Sequence, residues 1–152
     1  MKLTITAGIG AQYVRFLRRH IQAAARILRP TYSQLSIAMV NDKQMSELHL
    51  QFMQIDGPTD VLTFPLEFAS RNRVTSGEIV ICVPEARRRA KEMKVAVQNE
   101  LLLYALHGML HLSGSDDRTR RGFRMMHEME DKILREIGVG SVFEPKDSRS
   151  RA

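Results

Sequence analysis

The sequence predicts a single domain that combines four short strands with about five helices. Three observations carry that expectation. A chain of 152 residues, 43% of them hydrophobic, suits one core and needs no second. Four short runs rich in aliphatic and β-branched residues are set apart by turn signals. Around them lie five stretches with helical spacing or helix-start signals, and no internal repeat or heptad array interrupts the pattern.

Leu3 to Thr6 alternates and reads as the first strand. Over residues 11–28, Val14, Leu17, Ile21, Ala24 and Leu28 share one helical face, Arg15, Arg18, Arg19, Gln22 and Arg26 lie largely elsewhere, and Arg29-Pro30 closes the helix. Leu35, Ile37 and Met39 alternate with Ser36, Ala38 and Val40 in a second strand. Asn41 and Gln44 form a capping pair for a helix over about 42–53. Asp56-Gly57-Pro58 signals a turn into Val61-Leu62-Thr63-Phe64, with Pro65 expected to stop this third strand. Residues 69–76 are polar and aperiodic and read as an exposed loop. Gly77 to Val83 is apolar on both faces, as in a central strand covered on two sides. Pro84 suits the first turn of a helix over about 84–94, whose outer surface carries Arg87, Arg88, Arg89 and Lys91. A helix over 100–112 follows, then a last one over about 118–137 with Phe123, Met126, Ile133, Leu134 and Ile137 facing inward. The domain is expected to span residues 1–143, with 144–152 a flexible tail.

Cys82 is the single cysteine and sits in an apolar run, so a disulfide framework is excluded and a reducing interior is expected. The residues after Met1-Lys2 are too short an apolar run for a signal sequence, and no run approaches a membrane span. A cytoplasmic protein with no membrane partner is the expectation. The 23 Lys and Arg against 17 Asp and Glu give a net charge of +6, which favours a polyanionic partner through counterion release.

The chemistry concentrates in His107-Gly108-Met109-Leu110-His111-Leu112-Ser113-Gly114-Ser115-Asp116-Asp117. On a helix, His107 and His111 project from one face a turn apart, as two imidazoles must to share a metal ion. Gly114 ends the helix, and Asp117 swings in as a third ligand. Two histidines, one carboxylate and a position left to water make the ligand count of a catalytic zinc site. Asp116 is the other candidate, either as ligand or as a cap of the last helix or an orienting group. Metzincin proteases share this ligand rhythm but carry a glutamate base after the first histidine, where this chain has Gly108. Thr59 and Asp60 either line the cleft or stabilise the turn before the third strand. Glu100 reads as a helix-starting acid, and His20, His49 and His127 as surface or structural residues. Arg87 to Arg89 read as a solvated helix face. Arg118, Arg120, Arg121 and Arg124 read first as a solvated face too, and their case for contact with a polyanion improves only because the run begins directly after the proposed ligand.

His107-Gly108-x-Leu110-His111-Leu112-x-Gly114-x-Asp116, with Asp56-x-Pro58-Thr59-Asp60-Val61-Leu62-Thr63-Phe64-Pro65 and Gly77-Glu78-Ile79-Val80-Ile81 before it, resembles the YbeY family of bacterial zinc-dependent endoribonucleases. The similarity runs from about residue 33 to 137. It implies a single α+β domain with a small mixed four-stranded sheet, one zinc ion per chain, and a role in ribosomal RNA maturation. That role includes the 3′ end of the small-subunit RNA and ribosome quality control, with the small ribosomal subunit and assembly proteins as partners and no DNA substrate. Two positions depart from the family pattern. Members typically carry a histidine where this chain has Asp117, and an arginine where it has Met53. A carboxylate ligand lowers the charge of the metal unit by one and makes bound water less acidic. Methionine supplies neither charge nor donors for a phosphate. The expected reaction is metal-assisted cleavage of single-stranded RNA; the alternatives are an RNA-binding assembly factor with weak catalysis and a generic zinc hydrolase.

Overall fold

The computed structural model describes residues 1–140. Its elements are β1 (Lys2–Ala7), a 3-10 turn (Ala11–Tyr13), α1 (Val14–Leu28), β2 (Gln34–Val40), α2 (Asp42–Met53), β3 (Val61–Ala69), a second 3-10 turn (Ser70–Asn72), β4 (Arg73–Cys82), α3 (Val83–Met93), α4 (Val97–Leu112) and α5 (Arg120–Glu136). The expected domain end at residue 143 and the tail over 144–152 lie outside the described residues.

The strands form one sheet in the order β1-β2-β4-β3. β1, β2 and β4 are parallel, with Ile5 opposite Ile37 and Ile37 opposite Ile79, while β3 runs antiparallel to β4 with Thr63 opposite Ile79. The small mixed sheet and five α-helices of an α+β domain are therefore as expected. Strand alternation sorts the apolar residues between two faces. Leu35, Ile37, Met39, Val61, Ile79 and Ile81 join the main core with Leu17 and Ile21 of α1 and with α4. Leu62, Val80 and Cys82 face the other way, under Met45 of α2. β4 lies between two strands and is covered on both faces, which is why Ile79 to Cys82 are apolar without a break.

From Glu100 to Leu112, α4 is buried at every residue except His111. A helix apolar around its whole circumference must be surrounded, and α4 packs on β3 and β4 while α1, α3 and α5 close its other sides. The capping pair of α2 is present: Gln44 N–H donates to Asn41 Oδ1 at 2.8 Å, and Asn41 N–H donates to Gln44 Oε1 at 3.2 Å.

Several boundaries depart from expectation. Pro65 does not end β3 but pairs opposite Gly77 within it. β3 is an edge strand, the one place in a sheet that tolerates a proline, and its register shifts just beyond, on both sides of Glu67. Residues 69–76 are not a loop. β3 and β4 continue as the arms of a hairpin closed over Ser70–Asn72, where Arg71 and Asn72 take left-handed φ of 64° and 56°. β4 thus starts at Arg73 rather than Gly77, and Val83 opens α3 rather than ending the strand. The outer hairpin meets solvent, so its alternating Leu66-Glu67-Phe68 leaves Leu66 and Phe68 exposed instead of in a core. Finally, α5 begins at Arg120 under a Thr119 cap, whose Oγ1 accepts from Gly122 N–H at 2.9 Å. Asp116 is not its cap.

Candidate metal centre

The centre forms where α4 ends. His107 is buried, and His111 one turn later reaches the surface, its side chain 24% exposed. Ser113 N–H donates to the carbonyls of Met109 and Leu110, and Gly114, at φ 100°, turns the chain back. The turn brings the Ser115 carbonyl to 3.1 Å from His111 Nδ1 and swings Asp117 over the two imidazoles.

The two Nε2 atoms stand 3.0 Å apart, and Asp117 Oδ2 lies 3.4 Å from that of His107 and 3.6 Å from that of His111. Ligands at about 2.0–2.1 Å from a tetrahedral zinc are about 3.3 Å from one another. Proton placement agrees with that spacing. A carbonyl only accepts, so His111 Nδ1 carries its proton and donates to Ser115. His107 Nδ1 donates to the buried Glu130 carboxylate, Oε2, at 2.7 Å. Both Nε2 lone pairs are then directed at one point together with a carboxylate oxygen, an arrangement that repels itself unless a cation occupies the middle. The donor set fits one divalent metal.

Burial, and then the charge of His107, hold the His111 imidazole below the ordinary histidine range. The neutral, ligating form is favoured. A proton or cation between the His107 imidazole and the Asp117 carboxylate is the largest influence holding that carboxyl below its usual range, against burial, with the charge of either imidazole when protonated adding to it. A cation between the three groups acts in the same direction.

The sequence missed Glu130. Glu130 is fully buried in α5, and its second oxygen accepts from His127 Nδ1 at 2.8 Å. Of the two expectations for His127, surface or structural, the structural one holds: it is buried beside the centre, edge-on to Phe123 at 4.2 Å and stacked over His107 at 6.5 Å. A carboxylate that fixes the tautomer of a metal-binding histidine is a recurrent arrangement. Phe16 and Gly57 carbonyls bond His20 and His49, which are structural as expected.

The other candidates lie outside the triad. Asp116 is exposed and faces Arg118, which donates from Nε and Nη2 at 2.9 and 2.8 Å. These bonds push the Asp116 carboxyl down to about 2. Arg120 and Arg121 open α5 in solvent, close in sequence to Asp117. Asp60 is buried at the head of β3, where Oδ1 accepts from Val61 N–H at 2.8 Å and from Thr59 Oγ1 at 3.4 Å. Its charge acts on Arg89 and Tyr104, so it belongs to α3 and the first half of α4. Glu100 is buried against Tyr104 in that same region. Among the described residues, His107, His111 and Asp117 are the group placed to hold a metal.

Beside the triad opens a cleft of about 250 Å³ lined by Met53, Leu62, Thr63, Phe64, Pro65, Val74, His111 and Leu112. Met53 thus lies on the wall of the cleft that His111 also lines.

Comparison with known proteins agrees with this geometry. A Bifidobacterium animalis endoribonuclease YbeY is 36% identical over 110 residues, covering 68% of this chain and 61% of that protein's length. The Moorella thermoacetica endoribonuclease YbeY is 33% identical over 141 residues, covering 86% and 90%. A Thermotoga maritima protein solved in solution superimposes with a TM-score of 0.59 at 25% identity, over 97% of this chain and 99% of that one. The sequence model of endoribonuclease YbeY matches residues 6–138, all the described elements of the centre included, and on these grounds the chain belongs to the YbeY family.

Proposed function

We propose that this protein is a zinc-dependent, single-strand-specific endoribonuclease that matures the 3′ end of small-subunit ribosomal RNA and serves ribosome quality control. The supporting observation is the convergence of the His107 and His111 Nε2 atoms and the Asp117 carboxylate within 3.6 Å of one another, in a member of an endoribonuclease family. His107, His111 and Asp117 would hold one zinc ion per chain. When bound, the ion supplies charge to a phosphoryl oxygen or acidity to a water. Glu130 and the Ser115 carbonyl keep both imidazoles in the ligating tautomer. Arg120 and Arg121, with Arg118 behind its Asp116 pair, offset phosphate charge along the start of α5. The small ribosomal subunit and its assembly proteins are the proposed partners, in the cytoplasm.

A peptidase reading has no room for its base. A Cβ on Gly108 would stand 2.8–2.9 Å from three atoms of Ile79, so a glutamate there does not fit the packed helix. A second reading, an RNA-binding assembly factor with weak catalysis, is favoured by Met53, which brings no cation to the cleft.

The test offers zinc-loaded wild type and His111→Ala a single-stranded RNA carrying the 3′ end of the small-subunit RNA, with a duplex control. Cleavage of the single strand by wild type alone is expected. Binding without cleavage by either protein selects the assembly factor, and equal cleavage by both removes the nuclease reading. Zinc content checks the ligands: Asp117→Ala should lose the metal and Asp116→Ala keep it, and the reverse result would reassign the third ligand.

A further inference from the structure

We infer that the cleft beside the metal centre receives one unpaired nucleobase next to the scissile phosphate, held by apolar and aromatic contact rather than by hydrogen bonds to its edge. The inference rests on the nuclease reading above and adds to it a subsite.

The cleft and the centre are continuous, because His111 belongs to both: its Nε2 faces Asp117 while its ring walls the cleft. A phosphate brought to the centre therefore places an adjoining nucleoside at the cleft's mouth. The lining contains no charged side chain, and its polar side chains are those of Thr63 and His111. Such walls offer a phosphate no cation, whereas the π-face of a base suits them. At about 250 Å³ the cleft is smaller than the roughly 300–1,000 Å³ of pockets for drug-sized ligands, a size for one ring system rather than a nucleotide.

The aromatic side is preformed. Phe64, packed from beneath by the Met45, Leu62, Val80 and Cys82 cluster, meets Phe52 edge-to-face with centroids 5.1 Å apart. Phe52 and Met53 are 53% and 50% exposed, and Leu66 beyond Pro65 is 54% exposed. Apolar surface of this kind, gathered at the rim of a candidate catalytic centre on a chain of net charge +6, matches an anionic ligand with apolar faces. Met53 is central to the assignment: its flexible, polarisable thioether is suited to lie against a ring and offers a phosphate no charge. A base inside a duplex is stacked and paired and cannot enter, so selection of single strands follows from the cleft's shape. With few polar groups to read a base edge, selection among the four bases is weak.

The experiment compares kcat/KM of the zinc-loaded protein on a short single-stranded oligoribonucleotide and on two copies that are abasic immediately before or after the cleaved bond. Loss of the base on one side should lower kcat/KM roughly 5- to 100-fold, the range alanine substitution gives for one stacked base, and loss on the other side should not. Met53→Ala and the volume-keeping Phe64→Leu should slow the intact substrate several-fold and leave the abasic one unchanged, with zinc content reporting an intact fold. Replacing the base by each of the other three should change the rate less than threefold; a strict requirement for one base overturns the assignment. Equal cleavage of intact and abasic substrates also overturns it and leaves the apolar rim to a protein partner. If neither substrate is cut, the nuclease reading itself falls and the subsite with it.

Discussion

Glu130 decides which nitrogen His107 turns toward Asp117. It is fully buried, 23 residues from His107 in sequence, and accepts from both His107 and His127. Two histidines a turn apart were legible because their spacing is local. A partner on another helix is not, since only tertiary packing brings it near. A weaker signal existed: position 130 falls on the same stripe as Met126, Ile133 and Leu134, and an acid on the buried stripe of an amphipathic helix needs a partner. Replacing this carboxylate tests its role. Glu130→Gln keeps the volume but presents one oxygen to two N–H donors, so His107 loses its fixed tautomer. Zinc affinity should fall about 10- to 100-fold by competition with a chelating dye, the usual effect of removing such a partner. A control melt without metal separates this from unfolding; unchanged affinity would leave Glu130 a packing residue only.

At the scale of elements, α4 and its contact with β4 place the histidines. Gly108 lets the helix approach until Ile79 fills the space a side chain would take. The sequence showed a glycine where a protease has its base but not the reason, because the reason is a strand 29 residues earlier. In Gly108→Ala the added methyl meets three Ile79 atoms inside 3 Å, and Ile79 is fully buried and cannot withdraw. Overpacking of this kind costs about 1–3 kcal/mol, against about 1 kcal/mol gained from alanine's helix propensity. A net loss of up to about 2 kcal/mol in urea unfolding follows from those two terms. Ile79→Val removes the nearest atom, Cδ1, and should recover part of it in the double variant; strict additivity would mean the clash is relaxed elsewhere. The hairpin illustrates the opposite limit of reading. β3 and β4 were found only where a layer covers them, at Val61 to Phe64 and Gly77 to Cys82. Their outer arms, from Pro65 to Ser76, pair through backbone groups that composition does not encode.

For the whole molecule, the candidate centre ties stability to metal and to protons together. Among the described residues no helix is long and apolar enough to cross a membrane, and the buried face of α4 supports the core and the centre at once. Metal bound only by the folded chain stabilises it by about 2.7 kcal/mol at a free concentration 100 times the dissociation constant. For a domain of this size that raises Tm by roughly 5–10 °C. The pH dependence has a definite sign. Both imidazoles must be neutral to ligate, and burial holds the His111 pKa below its unfolded value of about 6.5. The folded chain therefore binds fewer protons there than the unfolded one, and stability from this group is complete above that value and declines as pH falls through it. Asp117, lowered below the usual carboxylate range, stays ionised across the same window and does not blur it. The zinc-induced rise in Tm should thus be full at pH 8 and shrink steadily toward pH 5, followed by calorimetry with and without chelator. In His111→Ala the rise should be small at every pH. A zinc effect in wild type that is flat from pH 8 to 5 would mean the metal is held by carboxylates elsewhere on the chain.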